Sequence, residues 1–289
     1  DKTDFQNTCP RCRSPYGPTA KPRAFVEPKS FVTSIQKAGG RDPGLTRLRP
    51  PPAQEARLLS AAAEEDYQTA GVTYTAWAYQ DAKQGRMFVV NRGRSFGFLR
   101  CSCGYAVMLK SPAEIHQIRQ GQHLTPYGQP CPGYFGSPED LGHEFRTDVL
   151  QIRIDHQLQA PKDMCSEDKD AWIRRFVRTL AESLRRAGAD LLGIQHTELA
   201  ATVRQRTSGL PEVILYDSVA GGAGYCRMLI FSGLRELFKE TVRILDCPAS
   251  FSQACRACLH SYDNQMFWDE LDRKPVLKWM LEIMKKPEP

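Results

Sequence analysis

The chain has 289 residues, 41% of them hydrophobic, and carries 39 Lys+Arg against 33 Asp+Glu for a formal net charge of +6. That length supports one large or two smaller domains with a substantial core, and no apolar run approaches the roughly 20 residues that span a bilayer, which argues against a membrane protein. The arginine-rich positive charge permits nucleic acid as a partner without requiring it. The sequence opens on Asp1 rather than methionine and so reads as part of a longer protein. Its 10 cysteines gather as Cys9/Cys12, Cys101/Cys103 and Cys255/Cys258 with no visible signal peptide, a pattern of metal binding in a reducing cytoplasm rather than of disulfides.

In chain order, Cys9-Pro-Arg-Cys12 is a short turn able to form half of a zinc knuckle. From Ser14 to about Arg49 the chain is rich in proline, glycine and basic side chains, with apolar patches at Phe25-Val26 and Phe31-Val32. Arg47-Leu-Arg-Pro-Pro-Pro52 excludes helix there, because each proline removes a donor and biases its predecessor toward extended backbone. An ordered loop or linker is expected, with a disordered basic tail over residues 14 to 70 as the alternative. Thr73–Tyr79 and Arg86–Asn91 are β-branched and aromatic and read as a hairpin. A further strand, Phe96–Arg100, ends in Cys101-Ser-Cys103-Gly104, where the glycine lets the backbone curl around a thiolate. Leu141–Ile154 reads as a strand entering the core, with His143 and Asp148 hydrogen-bonded within the fold rather than catalytic.

Ser166–Ala187 is the clearest helix: Trp172, Phe176, Leu180 and Leu184 recur on one face, and Arg174, Arg175, Arg178, Arg185 and Arg186 occupy much of the rest. Ser166 or Asp168 can cap it, and Gly188-Ala-Asp190 is expected to stop it. Leu191–Val203 reads as a strand followed by a turn. Val213-Ile214-Leu215 reads as a buried strand that passes through Gly221, Gly222 and Gly224 into a helix carrying Met228, Leu229 and Ile230, an α/β crossover. The Gly222 and Gly224 amides, at a helix N-terminus, are candidate phosphate contacts, although no Gly-Lys-Ser/Thr follows and a purely structural turn is the commoner meaning of such a cluster. A last helix opens at Arg273-Lys-Pro275 and presents Val276, Trp279, Met280 and Ile283 at helical spacing.

Cys255-Arg-Ala-Cys258 has the spacing that turns two sulfurs toward one tetrahedral metal, with Cys247 as a third thiolate. Cys226 is the first choice for the fourth ligand and His260 the alternative. Near the N-terminus, Cys9, Cys12, Cys101 and Cys103 complete one four-thiolate set, while Cys101, Cys103, His123 and Cys131 form a competing set. The bland reading of all of them is buried free cysteine, which behaves as a small hydrophobe.

Tyr216-Asp217, Gly221-Gly222-Ala223-Gly224-Tyr225, Cys255-x-x-Cys258-Leu259, Ser261-Tyr262 with Asn264-Gln265, and Leu271-Asp272-Arg273 resemble the MrfA-type zinc-binding domain. So do the earlier segments Leu141–Leu150 and Asn91-x-Gly93-x-x-x-Gly97-Phe98-x-x-Cys101-x-Cys103-Gly104. The family pattern often has a further cysteine just after the position of Cys247, where this chain has Pro248, Ala249 and Ser250. The resemblance is strongest to the DrmB-type subunits of the DISARM anti-phage system. It implies structural zinc, a superfamily 2 helicase partner of the DrmA type, DNA, and a cytoplasmic setting.

The expected fold class is α/β in the sense of mixed α+β: a zinc-ribbon-like β region over residues 1–135, then an α/β zinc-binding domain over 136–289 with a mixed sheet and flanking helices. No ATPase box, His-Glu-x-x-His or Gly-x-Ser-x-Gly is present, so the expectation is a non-catalytic accessory module with no catalytic residues and ATP hydrolysis located elsewhere. Arg174, Arg175 and Arg178, with the amides of Gly222 and Gly224, are the candidates for nucleic acid. The alternatives are the C-terminal part of a single-chain helicase of the MrfA type and, less favoured, a thiol–disulfide oxidoreductase. Tyr262-x-Asn264-Gln265, directly after the cysteines, is expected to brace the metal loop.

Overall fold

The computed structural model describes residues 25–27, 54–60, 67–69, 72–77, 85–93, 96–125, 128–154, 158–205, 210–231, 233–249 and 253–285. The expectations for Cys9, Cys12 and the Arg47–Pro52 stretch lie outside these residues. The strands are β1 (Phe25–Val26), β2 (Gln54–Ser60), β3 (Tyr67–Thr69), β4 (Val72–Trp77), β5 (Gly85–Asn91), β6 (Phe98–Cys101), β7 (Ala106–Met108), β8 (Phe135–Thr147), β9 (Val149–Ile154), β10 (Leu199–Gln205) and β11 (Pro211–Asp217). The helices are α1 (Glu114–Gln120), α2 (Ser166–Leu192), α3 (Tyr225–Phe231), α4 (Leu234–Leu245) and α5 (Arg273–Met284), with a 3-10 helix at Gln265–Glu270.

This is a mixed α+β fold with two sheets. One carries six strands in the order β2-β5-β8-β6-β7 with β1 beside β8, and the other five in the order β10-β11-β9-β4-β3. Contacts group residues 1–54 with 89–143 as one unit, and residues 55–88 with 144–289 as the other. β3 and β4 join the sheet of β9, β10 and β11. The expected hairpin between residues 73–79 and 86–91 is replaced. Both strands form, but β4 pairs antiparallel with β9, setting Val72 opposite Ile154, and β5 goes to the other sheet.

In the C-terminal unit, β11 is antiparallel to both β10 and β9 and is buried at every residue. Its β-branched and aromatic run suits a central strand closed on both edges. No described strand follows it, so α3 leaves the sheet rather than leading a crossover back to a parallel neighbour. The α2 face bearing Phe176, Leu180 and Leu184 packs into one cluster with Leu150, Ile152 and Ile154 of β9, Val213 and Leu215 of β11, Leu237 and Phe238 of α4, and Val276 and Met280 of α5. Each such side chain contributes roughly 1.5–3 kcal/mol on leaving water.

The long helix differs from expectation at both ends. The Cys165 sulfur, not Ser166 or Asp168, accepts the capping bond from the Asp168 amide. At the other end, α2 continues through Gly188 to Leu192 and stops at Gly193, whose left-handed φ of 65° suits a residue without Cβ. Gly188 is a packing residue instead: a Cβ there would sit 3.0 Å from Leu229 Cδ1 and 3.2 Å from Leu199 Cδ1. Among the described residues no helix is long and apolar enough to cross a membrane.

Candidate metal centre

After α4 the chain enters a loop carrying Cys247, then the turn Cys255-Arg-Ala-Cys258. The sulfurs of Cys247 and Cys255 lie 3.8 Å apart and those of Cys255 and Cys258 lie 3.6 Å apart, and all three ligand atoms fall within 4.8 Å of one another. Zinc–thiolate bonds of about 2.3 Å in a tetrahedron place sulfurs about 3.8 Å apart. The three cysteines therefore fit zinc, and all are free.

Electrostatics reinforce the fit. Burial pushes the Cys255 thiol up, but the amides of Ala257 and Cys258 and the sulfurs of Cys258 and Cys247 outweigh it and hold its pKa below the ordinary thiol value. Burial likewise pushes Cys258 up, here without being outweighed, to about 11, with Cys255 adding to the rise. Neighbouring thiolates resist ionising together, and it is a divalent cation that removes this penalty.

The surrounding residues hold the loop in shape. Buried Arg273 donates to the last carbonyl of α4, Leu245 at 3.0 Å, and to two of the loop after it, Ala249 at 2.6 Å and Gln253 at 3.4 Å. Asn264, 2% exposed, braces the far side, as its position after the cysteines suggests: its Nδ2 donates to Leu259 O and Glu182 Oε2, and its Oδ1 accepts from Ser261 N and Trp268 Nε1. Glu182 in turn pairs with Arg185, which reaches Asp263 and the Ser261 hydroxyl. The clamping role of Arg273 and the Glu182–Arg185 pair escaped sequence reasoning. An arginine three residues ahead of a helical periodicity reads as surface, and only the -Leu-Asp-Arg- signature marked the position.

Neither expected fourth ligand joins the three sulfurs. Cys226 is fully buried in the core, its amide donates to Asp217, and burial with Asp217 alongside pushes its thiol well up. Its sulfur lies outside the metal-compatible group. The His260 ring stacks on Trp268 with centroids 4.4 Å apart. Burial and nearby Arg256 push its pKa down, and it lies outside the metal-compatible group.

The glycine turn is closed to an external anion. Asp217 accepts from the amides of Ala223, Tyr225 and Cys226, and Asp148 from Gly224, while the Gly222 amide donates to Val219 O. The amides nominated for phosphate are thus satisfied by the protein's own carboxylates and backbone. Gly222 has φ of 71°, and a Cβ there would meet Asp148 Oδ2 at 2.4 Å, which explains the glycine without any ligand. The basic helix is divided: Arg174 is exposed, Arg175 donates to Asp269 O, Arg178 lies 4.0 Å over the Phe267 ring, buried Arg185 pairs with Asp263, and half-buried Arg186 pairs with Asp190.

In the other unit, Cys101, Cys103, His123 and Cys131 bring their ligand atoms within 4.8 Å of one another. This is the competing set of the sequence reading; Cys9 and Cys12 of the other set lie outside the described residues.

Three cysteines on a clamped loop, beside the core of an antiparallel sheet backed by helices, make a site compatible with a structural zinc ion. Residues 180–259 match the MrfA Zn-binding domain family (MZB), a stretch that contains all three cysteines. Across the whole chain the similarity extends to Druantia protein DruE of Escherichia coli (strain UMEA 4076-1), 28% identical over 298 aligned residues that include 93% of this chain and 15% of the relative. The chain therefore spans only a small fraction of that relative's length. Two solved structures of the DUF1998 helicase MrfA are also similar. In the one bound to DNA the TM-score is 0.46 at 11% identity, covering 81% of this chain and 25% of MrfA. In the one bound to DNA and AMPPNP it is 0.36 at 11% identity, covering 76% and 23%.

Proposed function

We propose that the chain is a non-catalytic, zinc-stabilised accessory module that associates with a superfamily 2 helicase and helps hold or load DNA, in anti-phage defence of the DISARM DrmB kind with a DrmA-like partner. The observation that carries this reading is the thiolate group of Cys247, Cys255 and Cys258 inside the stretch matching the MZB family. When bound there, zinc supplies a cross-link between the loop after α4 and the turn that follows it. The absence of ATPase motifs from the sequence and the internal satisfaction of the glycine-turn amides support a module that leaves nucleotide chemistry to its partner. Exposed Arg174, with Arg178 one turn on, is the surface offered to a phosphate backbone, where each neutralised phosphate adds salt-dependent affinity.

The test is co-purification of a helicase encoded in the same operon, followed by DNA binding of the complex as a function of salt. A stable complex whose salt dependence flattens in the Arg174→Ala/Arg178→Ala double variant is the expected result. No partner, or an unchanged salt dependence, overturns the corresponding half of the proposal.

The match to DruE favours a second reading. There, the equivalent of nearly this whole chain occupies 15% of one polypeptide, as expected if the module is one region of a long single-chain helicase of the MrfA type. The intact mass of the endogenous protein separates the two: a chain several times longer, with ATPase activity in cis, supports the second.

A further inference from the structure

We infer that Cys101, Cys103, His123 and Cys131 form a second zinc site, complete in its ligands and separate from the matched zinc-binding stretch, which begins only at residue 180. The donors come from two facing backbone devices. Cys101 closes β6, and Cys103 follows it in a tight turn in which Gly104 donates to Cys101 O and the Cys101 amide donates to Tyr105 O. His123 and Cys131 flank a small hairpin closed by the Leu124–Pro130 bridge, and the Cys131 amide donates to His123 O. The bridge sets the two residues opposite one another despite the seven residues between them.

The spacing suits zinc and not mere proximity. Cys101 and Cys131 sulfurs are 3.9 Å apart, and Cys103 Sγ lies 3.3 Å from His123 Nε2. Zinc bonds of about 2.3 Å to sulfur and 2.0–2.1 Å to imidazole nitrogen give tetrahedral edges of about 3.8 Å and 3.6 Å. Three thiolates and one imidazole make a closed structural set with no open position for water.

The surroundings are shaped for the cluster. The His123 ring stacks on Tyr105, centroids 4.6 Å apart and planes 13° apart, and packs against Phe135 at 5.1 Å, which fixes the direction of Nε2. The Gly133 amide donates to Cys131 Sγ at 3.3 Å. A Cβ on Gly133 would stand 2.6 Å from Cys101 Sγ, 2.7 Å from Ser102 Oγ and 3.1 Å from Cys131 Sγ. Glycine is required because the sulfurs converge there.

The segment also lacks another source of stability. From residue 100 to 135, Cys101 and Leu109 are the buried hydrophobic residues among those described, and α1 buries none of its side chains. A segment of this size with so little core needs a cross-link to hold one conformation, and a structural metal is one of the few available.

The test is zinc stoichiometry of the full chain by native mass spectrometry. His123→Ala and Cys131→Ser are each expected to carry one zinc fewer than the wild type, and His123→Cys to restore it. If either removal leaves the count at the wild-type value, the assignment is overturned, and loss of a zinc in Cys9→Ser or Cys12→Ser with retention in His123→Ala moves the site to the other set. Should the variants fail to fold, hydrogen exchange of the wild type with and without chelator decides. Residues 101–105 and 121–133 are expected to lose protection together on chelation, and unchanged protection overturns the assignment.

Discussion

The C-terminal unit and the segment from residue 100 to 135 are held together by opposite means. In the first, α2, β9, β11, α4 and α5 share one continuous apolar cluster, and the three-thiolate group sits beside it on a loop already clamped by Arg273 and Asn264. In the second there is almost no apolar interior among the described residues, and four candidate ligand atoms meet within 4.8 Å of one another. A cysteine in one region trims the edge of a fold that burial has made; in the other it takes the place of the interior. Metal content alone therefore says little about stability unless the apolar surroundings of each site are known.

The sharpest way to break this contrast is chelation. Structural zinc binds with an apparent free energy of about 10–16 kcal/mol in zinc-finger peptides, so the small segment should unfold locally, while hydrogen exchange in α2, β9 and β11 stays slow. Equal loss of protection in both regions would show that the large core also depends on metal. The reciprocal experiment is Leu184→Ala. This side chain is fully buried, and its truncation is expected to cost about 2–5 kcal/mol, seen as a lower urea midpoint for the C-terminal unit with zinc content preserved.

Asp217→Asn tests the clamped turn. Its carboxylate accepts three amides, and weakening a charged hydrogen-bonding centre is expected to cost about 1.5–3 kcal/mol, read in the same urea titration. Arg178→Ala, which removes the contact over Phe267, is worth about 0.5–1 kcal/mol at most; a larger loss of DNA affinity than of stability would assign this arginine to the nucleic acid.

The smallest effect is one of pH. Burial pushes the Asp263 carboxyl up, but Arg185 and the Ser261 hydroxyl outweigh it and lower its pKa. A lowered folded pKa stabilises above the unfolded value near 3.9 and loses that contribution as pH falls through the folded value. Asp263→Asn is therefore expected to be slightly less stable than wild type at pH 7, with the gap closing below pH 4. A gap that stays constant would show that the pair matters through packing and not charge.

The sequence made the strongly patterned elements legible. The apolar period of α2, the Val213-Ile214-Leu215 run within β11 and the last helix all lie in elements of the expected type, although α2 runs on past Ala187 to Leu192. The strands on either side of Gln80 were equally visible, but their partners were not: β-branched residues announce a strand without saying which strand lies beside it, and β4 finds β9 far along the chain. Gly188 was misread for a related reason. A glycine inside a helical pattern signals a stop or a close neighbour with the same letter, and only the packing of Leu199 and Leu229 against it selects the second. Cys247, Cys255 and Cys258 were readable from spacing, whereas Cys226 was not separable from them, since a cysteine deep in an apolar cluster and one at its margin look alike in one dimension. The opposition of His123 and Cys131 depends on one bridge between Leu124 and Pro130, which no composition reveals.

The carboxylates of Asp148 and Asp217 stand where an anion would stand at the glycine turn, so this turn carries its own counter-charge and has no vacancy for another. Thermal stability is expected to be indifferent to millimolar orthophosphate or nucleotide, unlike turns whose bound anion raises the melting temperature by mass action. In an assembly driven by a nucleotide cycle, such a turn would keep one shape through every state of that cycle.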